Sequence, residues 1–184
     1  MNRSEKVSVR LVPWSAADMP VLERSNTPEM TLYLGGPESP EKLAERQTRF
    51  LRLWESGEAR MFTIRVDGIP DAVGSVGYWT TTWHDAHVYE SGWSVATPYQ
   101  GRGFASKGLA ACLNHAADDG NRDALVAFPR IDNGASNALC RSLGFELAGV
   151  EDFEYPPGNP IQVHAWRFDL AGLRAARRGV NHRF

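Results

Sequence analysis

The chain has 184 residues, 42% of them apolar and 23% charged, with a formal net charge of −2. That balance suits one globular unit with a sizeable core and offers no broad positive field for nucleic acid. No apolar run reaches the roughly 18 residues that a membrane span needs, and residues 1–6 lack the apolar stretch of a signal peptide.

Residues 7–13 alternate like a strand. Ser15 can cap a helix that runs to about Ser25, with Asp18 in its first turn. Residues 26–40 hold three prolines and two glycines and read as a loop. Ser39-Pro40-Glu41 then opens a helix to Glu55, because Leu43, Gln47, Phe50, Leu51 and Trp54 recur at helical spacing. Residues 61–66 form the next strand, and Asp67-Gly68 is a hairpin signal before a strand over 72–82. Residues 83–86 turn the chain into a strand over 89–95.

A helix over 107–117 places Leu109, Cys112, Leu113 and Ala116 on one side and stops at Asp118-Asp119-Gly120. A short buried strand over 124–128 follows, broken by Pro129. Then come a helix over 135–142, a strand over 145–150, a proline-rich loop over 152–160 and a strand over 161–170. Residues 171–178 add a short basic helix. Hairpins mixed with crossover helices predict an α/β (α+β) sheet in three layers. We expect one domain over 1–184, with its core at about 7–170 and a basic tail over 171–184. Cys112 and Cys140 fall in separate helices, as expected of a reduced, cytoplasmic protein.

The segment Thr97-Pro98-Tyr99-Gln100-Gly101-Arg102-Gly103-Phe104-Ala105-Ser106 joins the strand over 89–95 to a helix start. A glycine-rich turn that opens a helix is an anion cradle, because the first helical N–H groups have no partner inside the helix and carry partial positive charge. Two phosphate motifs fail here. The dinucleotide fingerprint needs glycine where Ser106 stands, and the triphosphate loop needs Gly-Lys-Ser/Thr, whereas Lys107 lies between Ser106 and Gly108.

The pattern present, Gln100-x-x-Gly103-x-Ala105, resembles the acetyl-CoA pyrophosphate loop of the GNAT superfamily of N-acetyltransferases. Two flanking segments extend the likeness. Tyr89-Glu90-Ser91-Gly92-Trp93-Ser94-Val95 resembles the family's central strand. The segment from Asn133 to Phe145 resembles its second cofactor segment, where an Asn opens a helix that ends in Leu-Gly-Phe. The likeness is similar in kind to the branch that includes ribosomal-protein alanine acetyltransferases and antibiotic-modifying enzymes. It implies a central, mostly antiparallel mixed sheet of about seven strands flanked by helices.

The resemblance further implies acetyl-CoA as acyl donor, with no metal, and an amine-bearing acceptor. The backbone N–H groups of Gly101, Gly103, Phe104, Ala105 and Ser106 would hold the pyrophosphate, flanked by Gln100 and Arg102. The main chain at Val95 would pair with the pantetheine arm. Asn133 would bond the same arm, although Asn is also an ordinary helix cap. Glu90 would be the general base, with a solvated strand residue or an ion pair as the plainer reading.

Many relatives carry a proton-donating tyrosine where this chain has Cys140. A thiol can donate a proton, but buried cysteine more often packs; Ser136 and water are the other donors. His84 and His87 lack the companions of a zinc site and read as surface residues. Arg174, Arg177, Arg178 and Arg183 read as a solvated face rather than a nucleic-acid contact. Acceptor choice should lie in residues 26–40, 79–87 and 152–160, where Tyr33, Trp79, Trp83 and Tyr155 are candidate walls and Asp152 and Glu154 candidate partners of a cation. We therefore expect N-acetyl transfer to a peptide N-terminus, a small amine or an aminated antibiotic, by direct transfer in a ternary complex. The alternatives are a non-catalytic acyl-CoA sensor and a convergent phosphate binder. A homodimer is compatible with the family.

Overall fold

The computed structural model describes residues 7–181; Met1 to Lys6 and Arg183 lie outside the described residues. Seven strands, β1 (Val9–Pro13), β2 (Ala59–Val66), β3 (Gly74–Trp83), β4 (Ala86–Val95), β5 (Ala124–Ala127), β6 (Glu146–Glu154) and β7 (Pro160–Asp169), form one sheet in the order β1-β2-β3-β4-β5-β7-β6. Every neighbouring pair is antiparallel except β4 and β5. This is the mixed, mostly antiparallel sheet of seven strands that the family resemblance implies.

The β3–β4 register pairs Trp83 with Ala86, so His84 and Asp85 alone make the turn, with φ of 46° and 61°. Two successive positive φ values give the primed turn that matches strand twist. Two loop expectations need correction. Gly68 turns with φ of 81°, but β3 resumes only at Gly74. Ile69 and Val73 pack into the core and draw the intervening segment inward. The expected loop over 152–160 shrinks to residues 155–159, because β6 and β7 pair as far as Glu154 and Pro160. Pro160 is tolerated there because it is the first residue of its strand.

The helices form two layers. α1 (Met19–Ser25) and α2 (Pro40–Ser56) cover one face, where Val21, Leu22 and Leu43 pack with Trp14, Met61 and Ala72. The expected helix over 15–25 is a short 3-10 turn followed by α1. Ser15 and Asp18 form a capping box around that turn, and buried Asp18 also receives Arg65 at 3.2 Å. α3 (Phe104–Asp119), α4 (Gly134–Ser142) and α5 (Leu170–Asn181) cover the other face.

α3 buries Leu109, Cys112, Leu113 and Ala116, and each leucine contributes about 1.5–3 kcal/mol. It approaches β2 closely because residue 108 is glycine; a Cβ there would lie 2.7 Å from Ile64 Cδ1. α5 docks beside α3, and two of its arginines are used in ion pairs: Arg174 with Asp123, and Arg177 with Asp118 at 2.7 Å. No helix among the described residues is long and apolar enough to cross a membrane.

Candidate active site

The sheet divides at Glu90. β4 pairs with β5 only through Tyr89–Leu125 and Glu90–Val126, then runs on for five residues to Val95. The chain after β5 follows β7 instead: His164 N–H donates to Pro129, Arg130 bridges Val163, and Ile131 N–H donates to the Gln162 carbonyl. One edge of β4 from Ser91 to Val95 is thus left without a strand partner among the described residues. An unpaired strand edge presents main-chain donors and acceptors to whatever extended chain lies beside it.

That edge leads into the glycine loop. Gly101 and Gly103 have φ of 71° and 77°, and nothing lies within 4 Å of where either Cβ would be. The backbone N–H groups from Gly101 through Ser106 find no acceptor among the described residues, and the first α3 donor to be satisfied is Lys107, by Gly103 O at 3.1 Å. α3 has no side-chain cap. The arrangement fits an anion: consecutive N–H groups and the positive end of a helix converge on open space. Gln100 Nε2 turns back to donate to Val95 O at 2.9 Å, tying the loop to the strand end. Arg102 stacks over the Phe104 ring at 4.9 Å.

Across the cleft, Asn133 caps α4 by accepting from Ser136 N–H at 3.2 Å. Its Oδ1 does this work; its Nδ2 has no acceptor among the described residues. Ser136 is half-buried in the first turn of α4. Cys140, by contrast, is 0% exposed, and burial pushes its thiol up to about 12. It packs with Phe145, Leu125 and Trp166 in the core.

Glu90 lies on the α1–α2 face of the sheet. Its cross-strand partner is Trp79. Burial raises the Glu90 pKa, and a hydrogen bond with Trp79 partly opposes that rise. The Trp79 ring also covers Gly92, where a Cβ would lie 3.1 Å from Cη2. Ser94, two positions further along this face, shares hydroxyl contacts with Ser25 at 3.4 Å and Ser75 at 3.3 Å.

Residues 26–39 cross between the two halves of the divided sheet. Glu29 accepts from Thr97 Oγ1 at 3.3 Å, just after β4, and Tyr33 stacks under Arg130 at 5.5 Å, just after β5. Gly35 packs so tightly on the β6–β7 hairpin that a Cβ would meet Pro156 Cδ at 2.6 Å. Glu38 takes both forks of Arg46, at 2.6 and 3.0 Å. Asp152 and Glu154 are engaged locally, with Gln162 and with Gly158 N–H. His84 pairs with Glu151 at 2.9 Å, and among the described residues no group of three or more metal-ligating side chains converges.

The family profile described as an acetyltransferase (GNAT) domain matches residues 8–146. The chain belongs to the GNAT acetyltransferase family. An uncharacterized N-acetyltransferase, p20 of Bacillus licheniformis, is 24% identical over 164 residues, covering 88% of this chain and 91% of that one. Among solved structures, the Salmonella typhimurium acetyltransferase that modifies the N-terminal serine of a 50S ribosomal subunit protein is 23% identical, with TM-score 0.75 over 88% of this chain and 95% of that one. Spermidine N-acetyltransferase of Vibrio cholerae, solved with CoA and spermine, is 16% identical, with TM-score 0.73 over 91% of this chain and 98% of that one. At these identities the two structures share the fold with this chain.

Two site-bearing residues of this GNAT chain escape a reading of its sequence. Trp79 is legible only as a candidate wall, since its placement opposite Glu90 depends on the β3–β4 register. Asn137 gives no signal at all. It is 6% exposed, donates to the carbonyls of Arg130 and Asn133 at 2.9 and 2.8 Å, and accepts from Trp166 Nε1 at 2.8 Å, with His164 Nδ1 also 2.8 Å from its Oδ1. It thereby fixes the segment that presents Asn133.

Proposed function

We propose that the chain is an acetyl-CoA-dependent N-acetyltransferase that acts by direct transfer to a primary amine in a ternary complex. The observation that carries this reading is the run of unpartnered N–H groups, Gly101 to Ser106, at the end of a half-unpaired strand that also bears a desolvated carboxylate. In this reading the loop holds the donor's pyrophosphate, with Gln100 and Arg102 alongside. The Ser91–Val95 edge pairs with the pantetheine arm. Asn133 Nδ2 donates to the same arm while Oδ1 keeps its capping role, so the two sequence readings of Asn133 are compatible.

Glu90 removes a proton from the attacking amine, through water. Its raised pKa makes it a stronger base than an exposed carboxylate. The amine nitrogen bonds to the acetyl carbon, the carbon–sulfur bond breaks, and the thiolate departs. A Cys140 thiol near 12 is too weak an acid to protonate a thiolate of ordinary pKa, about 8.5, so Cys140 serves as packing. Ser136 donates a hydrogen bond to the departing sulfur, and water supplies its proton. Positioning contributes on the order of 7–11 kcal/mol in well-oriented systems of this kind.

The acceptor class is a peptide N-terminus, a small amine or an aminated antibiotic, selected where residues 26–39 meet the β6–β7 hairpin. We assign the activity to one catalytic unit over the whole chain, cytoplasmic and compatible with a homodimer. The deciding experiment is calorimetric titration with acetyl-CoA against ADP, followed by an amine screen on wild type and Glu90→Gln. Tight acetyl-CoA binding, weak ADP binding, and turnover cut about a hundredfold or more in the mutant is the expected result. Tight binding with no transfer to any amine would favour an acyl-CoA sensor. Absence of acetyl-CoA binding would overturn the assignment.

A further inference from the structure

The end of β4 remote from the glycine loop carries a cleft that the reaction above does not use. The register that pairs Tyr89 with Leu125 starts β5 at the level of Val88, so the β3–β4 hairpin projects beyond it. A cavity of about 470 Å³ lies in that notch, between the hairpin, the turn that joins α3 to β5, and Arg167 of β7. Its volume falls within the range of small-molecule sites, roughly 300–1,000 Å³.

Its charge is unbalanced. Arg122 and Arg167 both line it, and both are half-buried. Arg167 makes no hydrogen bond or ion pair among the described residues, although Glu146 stands opposite it in the β6–β7 ladder. Among the described residues the Arg122 guanidinium makes one hydrogen bond, to the Asn121 carbonyl at 2.7 Å, and its buried Nε finds no partner; it leans on the Tyr89 ring at 6.0 Å. The carboxylate in the lining, Asp123, is already bound by Arg174. Glu151 near the rim is held by Trp83 and His84. His87 also lines the wall, beside His84. Half-buried guanidinium groups without counter-ions are costly to keep. Their planar forks match carboxylate and phosphate oxygens.

We infer that this cleft is a second binding site, separate from the transfer centre, for a small molecule bearing a carboxylate or phosphate group. Trp83 and Phe128 pack against Val88, Ala124 and Val126; Val126, which does not line the cleft, is the cross-strand neighbour of Glu90. Arg122 and Arg167 bind the oxyanion, with His87 beside them.

The test is amide NMR on the full chain titrated with inorganic phosphate and, separately, with succinate, at constant ionic strength set by chloride. Saturable shifts at His87, Asn121 and Asp123 are expected, weakened about tenfold in Arg122→Gln and in Arg167→Gln. An otherwise unchanged spectrum establishes that both variants fold, and Gly101–Ser106 report independently on the pyrophosphate loop. Response to phosphate alone would identify a phosphoryl ligand, to succinate alone a carboxylate, and to both a shared oxyanion site. Shifts confined to Gly101–Ser106, or no saturable shift from either anion, would overturn the inference, and so would cleft shifts that both variants retain.

Discussion

Trp79 and Glu90 face each other across the β3–β4 ladder, on the sheet face that α1 and α2 cover. Burial raises the carboxyl pKa, and hydrogen bonding with Trp79 restrains the rise. Tryptophan is thus a tuning residue for the candidate base, and its replacement has a definite direction.

Trp79→Phe removes the hydrogen bond and keeps most of the apolar cover. The Glu90 pKa should climb further, moving the acid limb of kcat/KM to higher pH. A pH–rate profile of the variant measures this. An unmoved limb would mean that Trp79 does not set the ionisation of Glu90.

Glu90→Gln should make the fold more stable at neutral pH while it slows turnover. A carboxyl whose folded pKa is raised prefers to be protonated in the folded state, so its ionisation costs stability. That cost is full above the folded pKa and fades as pH falls through it toward the unfolded value. Thermal melts of both proteins should therefore differ at neutral pH and converge in acid. A gap that is constant with pH would point to packing rather than ionisation.

Gly103→Ala tests the loop. The site is open, so the penalty comes from the φ of 77° alone, about 1 kcal/mol or a little more. Relaxing that strain re-aims the N–H groups at the α3 start. The acetyl-CoA KM should rise roughly five- to tenfold, with kcat little changed and thermal stability slightly lower. Equal KM in the variant would show that the loop does not hold the donor.

Two substitutions in α4 should separate packing from positioning. Cys140→Ala empties a fully buried site and should cost about 1–2 kcal/mol with kcat unchanged. Asn137→Ala strands the Trp166 N–H and the Arg130 carbonyl, for about 2–4 kcal/mol. It should also raise the acetyl-CoA KM, because the Asn133 segment loses its anchor. Denaturant melts paired with steady-state kinetics distinguish the two.

Most of the architecture is legible in local pattern. The apolar face of α2, the Gly120 stop and the glycine loop each follow from spacing and from residues with a single conformational use. What local pattern does not reveal is long-range. Asn137 looks like any polar helix residue until β7 brings His164 and Trp166 against it. The Gly74–Val95 pairing and the Tyr155–Asn159 turn depend on register, which proline and glycine counts do not encode. Likewise, the full burial of Cys140 and the raised pKa of its thiol come from long-range packing that its own helix does not announce.

The open side of β4 has an evolutionary corollary. Contacts made by peptide groups are indifferent to the side chains that hang from them, so a binding edge of this kind can persist while its letters drift. Only replacements that bend the strand or cap its N–H groups, such as proline between Ser91 and Val95, would erase it. A chain only 24% identical to a relative over most of its length can in this way keep a main-chain surface that no residue-by-residue comparison would register.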